Sequence, residues 1–188
     1  MKDLETKSLW SHLLGKSMRG DLKDAQLKSI PSLLTDFETW ARLHEDTTIM
    51  TTPPTDSRFT RGYYNNLEKY VVGMSNDAMA KAWAYPDLKS NPLLNDKFGE
   101  EPVVILFDAV SATPVIFDRT VEEQVLTFVR DGETYTDKES QSTWDLERGI
   151  ATDGELKGKE LVRRAAVPSF KVAWETFYPK SEYWSATE

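Results

Sequence analysis

The chain has 188 residues, no cysteine and a formal net charge of −8. The length suits one domain or two small fused ones, and the lack of cysteine excludes disulfides, thiolate nucleophiles and Cys-ligated metals. The acidic balance argues against nucleic acid or an anionic membrane as the main partner, because phosphate binding depends on Lys and Arg. No run of about 20 apolar residues is present, so we expect no transmembrane helix.

The first 30 residues are typical of short strands and turns. Leu9 and Trp10 fit a strand, and Gly15 and Gly20 mark bends. Residues 22–27 form a unit of hairpin size. We therefore expect the chain to begin with β-structure.

Two short amphipathic helices are predicted, one near each end of the chain. Thr35-Asp-Phe-Glu38 fits a capping box, in which Thr35 is the N-cap. Apolar residues then follow at helical spacing as far as Leu43. A similar pattern begins after Ser169 and ends before Pro179.

A linker is predicted between these parts. Thr51-Thr-Pro-Pro-Thr-Asp-Ser57 has the composition of a linker. The basic and aromatic residues after it, including Arg61, could line a groove for an anionic or sugar-like ligand, or could form a solvated connector with aromatic anchors.

The central part of the chain is predicted to be strands. Residues 78–85 alternate Ala with larger residues, which favours a strand, although helix propensity would favour a helix. The apolar run at residues 102–107 is typical of a central strand, and residues 113–117 pair with it. We read strands at residues 125–130 and 133–137, joined by the hairpin signal Asp131-Gly132. Together these patterns predict a β-rich α+β fold, an antiparallel meander or barrel-like sheet with short helices.

An internal repeat organises the chain. Residues 137–161 recur as a degenerate copy at residues 3–27, at a constant offset of 134. The matched pairs include Asp3 with Asp137, Ser8 with Ser142, Trp10 with Trp144, Gly15 with Gly149, Gly20 with Gly154, Leu27 with Leu161 and Trp40 with Trp174.

These residues resemble a known family, the uncharacterised prokaryotic domain of unknown function 3179. The resemblance lies in Asp137-Lys-Glu-Ser-Gln-Ser-Thr-Trp144, in the glycine and leucine spacing of residues 149–161, and in Phe177-Tyr-Pro179. Ala80-Lys-Ala-Trp-Ala-Tyr85-Pro86 and Phe117-Asp-Arg119 also follow the order of the family.

The resemblance implies an organisation of one and a half repeat units. Residues 1–50 correspond to the back half of a first repeat, residues 51–69 to a linker and residues 70–188 to a complete unit, and we expect them to form one compact domain overall. We therefore expect a homo-oligomer, or another chain that supplies the missing half. The resemblance also implies an extracytoplasmic location, although the N-terminus lacks the apolar region of a signal peptide.

The ligand-binding candidates are acids, an arginine pair and aromatic residues. Acids at strand ends, such as Asp96 and Asp137, could bind a cation or transfer protons. Asp is also common in turns, because its side chain bonds nearby N–H groups. The six candidates named for binding are Arg61, Tyr85, Asp108, Asp118, Arg119 and Trp144.

Each candidate has a structural interpretation as well. Asp118 and Arg119 could be an ion pair at a strand end, and Trp144 could be packed in the core rather than stacked on a ligand. His12 and His44 are the only histidines, and a zinc site usually needs three or four clustered ligands. We therefore expect no metal and no cofactor.

Two functions remain open. The first is a non-catalytic binding or assembly module that acts through strand pairing and an aromatic and acidic cleft. The second is a metal- or carboxylate-dependent enzyme acting on a small molecule. Convergence of the acids on one pocket would favour the enzyme, and dispersal over separate turns would favour the module.

Overall fold

The structure is a computed structural model that describes residues 1–48 and 66–186. Within these residues strands predominate over helices, and the strand pairs are antiparallel except for one. The predicted β-rich α+β class is therefore confirmed. None of the helices in the described residues is long and apolar enough to cross a membrane.

The elements follow one another in two stretches of chain. The first stretch contains β1 (Leu9–Ser11), β2 (Lys16–Arg19) and α1 (Phe37–Leu43). The second begins with a 3-10 turn at Leu67–Lys69 and continues with β3 (Tyr70–Ser75), β4 (Ala80–Ala84), α2 (Tyr85–Ser90), β5 (Leu93–Phe98), β6 (Glu101–Asp108), β7 (Thr113–Asp118), β8 (Thr120–Val121) and β9 (Gln124–Val125). It ends with β10 (Phe128–Asp131), β11 (Thr134–Asp137), β12 (Thr143–Asp145), β13 (Ile150–Asp153), β14 (Val167–Phe170), α3 (Lys171–Phe177) and β15 (Glu182–Tyr183).

The three-stranded sheet β5-β6-β7 is buried on both faces. Ile105 and Phe107 of β6 point into one apolar cluster with Trp83 and Tyr85. Leu106, between them, points into a second cluster, whose members include Phe117, Phe128, Trp144 and Leu146. Because successive side chains of a strand alternate in direction, a strand covered on both sides is apolar throughout. The prediction of a central strand at residues 102–107 is thus confirmed.

The sheet β10-β11-β12-β13 is a meander that covers the second cluster. The predicted hairpin at Asp131-Gly132 is present, and Gly132 has φ +59°, which suits a glycine. The strand before the turn starts at Phe128, not at Val125 as predicted. Val125 pairs instead with Thr120 in the small β8–β9 hairpin.

The sheet β14-β3-β4-β15 carries α3 against one face. Trp174 of α3 is fully buried and lies directly over Gly73 of β3, where any Cβ would overlap the indole ring. The indole N–H donates to the Ser181 hydroxyl at 2.8 Å. The packing of Trp174 on Gly73 holds α3 against the sheet.

Three predicted helix boundaries need correction. The N-cap of α1 is Asp36 rather than Thr35, because the Asp36 carboxylate accepts the Thr39 N–H at 2.7 Å. Ser169 lies in β14, so α3 begins without a side-chain cap. Residues 78–85 were predicted to be a strand throughout, but β4 ends at Ala84. Helix α2 then starts with Pro86 in its first turn, where a proline costs no hydrogen bond.

Residues 1–48 pack against the second stretch at several points. Leu33 packs against the second cluster, and Leu13 packs against a third cluster that contains Trp174. The Leu13 carbonyl accepts the Tyr178 hydroxyl at 3.2 Å, and Arg42 pairs with Glu147 at 2.5 Å. The β1–β2 hairpin is therefore held beside β14 and α3 but does not join their sheet.

Candidate functional site

The Asp137 segment (residues 137–161) is built around one buried carboxylate. Asp137 accepts hydrogen bonds from the Ser140 N–H and hydroxyl, from the Ser142 N–H at 3.2 Å and from the Trp144 indole N–H at 2.9 Å. The Ser142 hydroxyl in turn accepts the Leu156 N–H at 2.9 Å. These bonds tie the turn after β11 to β12 and to the turn beyond β13.

The Asp3 segment (residues 3–27) repeats this network. Asp3 accepts the Thr6 N–H at 2.7 Å, the Thr6 hydroxyl at 2.8 Å and the Trp10 indole N–H at 3.2 Å. The Ser8 hydroxyl accepts the Leu22 N–H at 3.1 Å. Each bond thus has a counterpart 134 residues further along the chain.

The backbone pairing recurs as well. Met1 and Trp10 exchange both backbone hydrogen bonds, at 2.7 and 2.9 Å, and Lys2 forms a bridge with Leu9. The residues 134 positions further along the chain are paired in the same way between β11 and β12, with Tyr135 opposite Trp144. Residues 1–3 therefore occupy the place that β11 holds beside β12.

The two segments differ in what covers the tryptophan. Trp144 is 3% exposed and meets Phe128 of β10 edge-on, with ring centroids 5.4 Å apart. Trp10 is only half-buried. Within the described residues, no strand pairs with the outer side of residues 1–3 in the way that β10 pairs with β11. In the part of the chain that the structure describes, Trp144 is therefore covered by a neighbouring strand and Trp10 is not.

The uncovered face of Trp10 opens into a cleft of about 660 Å³, which we call the Trp10 cleft. Its volume lies within the usual range of ligand sites. The hairpin supplies one wall, and β3, β14 and α3 supply the other. The cleft is lined mainly by large apolar and aromatic side chains, among them Trp10, Met18, Tyr70, Phe170 and Phe177.

His12 gives the cleft a polar edge. It lines the Trp10 cleft and is exposed. Its counterpart in the Asp137 segment is Leu146, which is 1% exposed in the second cluster. A residue type suited to solvent thus stands where the completed segment has a core leucine.

The structure places most sequence-predicted candidates away from this cleft. Tyr85 is fully buried against Phe107, with ring centroids 5.1 Å apart, and Trp144 is buried in the second cluster. Arg61 and the neighbouring basic and aromatic residues lie outside the described residues. Of the five candidates that are described, none lines the Trp10 cleft.

The side chains of Asp118 and Arg119, predicted as a possible ion pair, form hydrogen bonds with two different neighbours. Asp118 accepts the Thr120 N–H at 2.8 Å, and Arg119 donates to the Leu126 carbonyl at 2.6 Å. Burial lowers the pKa of Arg119. Both side chains thus hold the chain where it leaves β7.

The acidic candidates lie at different places in the fold. Asp96 and Asp118 flank Val103 on opposite sides, two strand spacings or about 10 Å apart. Asp96 lies inside β5 and not at a strand end as predicted. It pairs with Lys81 and accepts the Trp83 indole N–H, both at 2.8 Å. Asp108 ends β6 at the other end of the same sheet and caps the following turn. No group of three or more metal-binding side chains occurs within residues 1–48 and 66–186.

Hydrogen bonds favour the ionised form of three aspartates: Asp3, Asp108 and Asp137. Bonds led by that from the Thr6 side chain lower the pKa of Asp3 to about 2. Burial tends to raise the pKa of Asp137, but the bonds from Trp144 and Ser140 outweigh it and the pKa is lowered. Burial likewise opposes the bonds from Ser111 at Asp108, where the pKa is also lowered.

These lowered pKa values predict a loss of stability in acid. An unfolded Asp titrates near pH 4. The stabilisation is therefore complete above about pH 4 and declines as the pH falls towards 2. Urea unfolding of wild type and Asp3→Asn at pH 5 and pH 2.5 should show a smaller decline for the variant. Asp21→Asn, on an exposed turn, serves as the control. An equal decline in wild type and Asp3→Asn would contradict the prediction.

The residues that form the Trp10 cleft can be only partly predicted from the sequence. The match between Trp10 and Trp144 predicts that both are core residues, but only Trp144 is buried in the core. The apolar pattern of the sequence places Phe170 and Phe177 on one helix, but Phe170 lies in β14 and only Phe177 lies in α3. They are 43% and 45% exposed, which the sequence pattern does not indicate.

Comparison with known proteins gives the family. A family model described as "Protein of unknown function (DUF3179)" matches residues 1–70 and again residues 65–181. No curated protein and no solved structure matches the chain. Because the two matches together cover nearly the whole chain, the protein belongs to the DUF3179 family.

Proposed function

We propose that the protein is a non-catalytic binding or assembly module, and that it binds a polypeptide partner in the Trp10 cleft. One observation carries the proposal. The same hydrogen-bonded segment occurs twice, and its tryptophan is covered by a strand at Trp144 but faces an open cleft at Trp10. An uncovered aromatic surface of this kind is a typical site of protein–protein contact.

Strand pairing provides the second part of the proposal. Met1 and Asp3 direct their backbone groups towards β1, where they bond to Trp10 and Ser8. Successive residues of a strand alternate in direction, so the N–H and C=O of Lys2 face outward. Such an edge can receive a strand from another chain.

The division of the chain supports the same function. We propose that residues 1–50 are an incomplete first repeat, joined by residues 51–69 to a complete unit at residues 70–188. The recurring bonds of Asp3 and Asp137 support this division. The first segment would then bind whatever chain completes it, including a second copy of the protein.

The acids give the alternative function less support. A carboxylate-dependent enzyme needs its acids within reach of one substrate. Asp108, Asp118 and Asp137 lie at separate strand ends and Asp96 lies inside β5, and each accepts hydrogen bonds from its own neighbours.

A peptide-display selection against the purified protein tests the proposal. Selected peptides should bind wild type and lose about tenfold or more in affinity for Trp10→Ala, since aromatic anchors dominate such sites. Phe177→Ala, on the opposite wall, should weaken the same peptides. Val110→Ala, at a 95% exposed turn outside the cleft, is the matched control and should bind normally.

Two results would overturn the proposed function. One is the recovery of no specific peptide. The other is a set of peptides that bind Trp10→Ala and Phe177→Ala as tightly as wild type. Circular dichroism of each variant separates a lost site from a lost fold.

A further inference from the structure

We infer that the segment bound in the Trp10 cleft is an extended strand of a partner polypeptide with the side-chain pattern of residues 126–131. In this arrangement an aromatic residue meets Trp10 edge-on and the strand pairs antiparallel with residues 1–3. The inference rests on the proposed function and specifies its partner.

The protein itself contains the template for this strand. In the β10–β11 pair, Phe128 stands opposite Asp137 and Val129 opposite Thr136. At the offset of 134, Asp3 corresponds to Asp137 and Lys2 corresponds to Thr136. A partner strand in the same register would thus place its aromatic residue opposite Asp3 and would bond to the outward backbone groups of Lys2.

The alternation of the template sets the requirements for the partner. Leu126 and Phe128 are 0% and 2% exposed and point into the second cluster. Thr127 lies between them, and side chains alternate along a strand. The partner therefore needs two apolar residues separated by one residue, with the aromatic one nearer its C-terminus.

The Trp10 cleft has the chemistry to accept these two side chains. Its walls are apolar and aromatic, and Tyr70 and Phe170, neighbours on the wall opposite the hairpin, form a ring pair with centroids 4.7 Å apart. Edge-to-face packing on Trp10 adds to the gain from apolar burial. His12 occupies the place of Leu146, so the Trp10 cleft is more polar at this position than the covered core around Trp144.

A synthetic peptide of residues 125–131, Val-Leu-Thr-Phe-Val-Arg-Asp, with blocked ends, is the direct probe. It should bind the full chain and shift the Trp10 indole and Lys2 amide resonances in ¹⁵N-correlated NMR spectra. The matched peptide with Ser in place of Phe should bind about tenfold more weakly, because the aromatic anchor is lost.

Two protein variants sharpen the test. Trp10→Ala should reduce binding of the phenylalanine peptide to the level of the serine peptide. His12→Leu should tighten binding by roughly tenfold, since an additional apolar side chain is buried on binding. If the cleft were only a nonspecific apolar surface, His12→Leu would raise its affinity for the phenylalanine peptide and the serine peptide by the same factor.

The possible failures can be told apart. If display peptides bind in the cleft but the phenylalanine and serine peptides bind equally, the inferred strand pattern is wrong and the binding function stands. If the phenylalanine peptide binds without protecting the Lys2 amide from hydrogen exchange, strand pairing is wrong. If no peptide binds at all, both the inference and the proposed function fail.

Discussion

Replacing Trp144 with alanine should lower the free energy of unfolding by about 3–5 kcal/mol, as expected for a large buried aromatic residue. The substitution leaves a cavity beside Phe128 and removes the edge-on ring contact at 5.4 Å. It also leaves Asp137 without its indole donor. Trp10→Ala should cost only about 1 kcal/mol, because Trp10 already faces the open cleft.

Urea denaturation of the two variants, followed by circular dichroism, measures this difference. The two residues have the same local hydrogen bond, so the comparison isolates the effect of the covering strand. Equal losses for Trp10→Ala and Trp144→Ala would show that Trp10 is covered in solution. Self-association has to be checked in the same samples, because an oligomer would also cover Trp10.

Asp137→Ala should destabilise the protein by about 3 kcal/mol or more, since it leaves several buried donors without an acceptor. The donors are the indole of Trp144 and the backbone N–H groups of Ser140 and Ser142. Asp3→Ala removes the same type of acceptor from a more exposed segment, where water can replace it. Its loss should be clearly smaller.

The same unfolding experiment checks this prediction, with Asp137→Asn as a second variant. Asparagine keeps the shape and one acceptor oxygen, so it should recover part of the stability lost in Asp137→Ala. If Asp137→Ala is no less stable than Asp3→Ala, the buried hydrogen bonds of Asp137 do not stabilise the protein more than the more exposed ones of Asp3.

Much of the fold could be predicted, because its strongest elements have local causes. The apolar run of β6 reflects burial on both faces, and Asp131-Gly132 specifies a tight turn. Helix α2 was missed because the Ala alternation before it continued to Tyr85, although Pro86 is typical of a first helical turn. The error at Thr35 came from two adjacent residues that can both cap a helix.

The candidate site was much harder to predict. Its walls come from the two ends of the chain, so no local pattern brings Trp10 and Phe177 together. The aspartates were noticed as reactive groups, whereas Asp3 and Asp137 hold turns together. Which tryptophan is covered depends on the neighbouring strand, and Trp10 and Trp144 have similar sequence surroundings.

The self-contained bonding of the Asp3 segment has a consequence for affinity. Thr6, Ser8 and Leu22 bond within the segment, so its shape does not depend on a covering strand. A receptor that is already in its bound conformation loses little conformational entropy on association. The ordering cost of complex formation would then fall mainly on the incoming strand, and stiffening that strand, for example by cyclisation, would be the most direct route to a tight inhibitor.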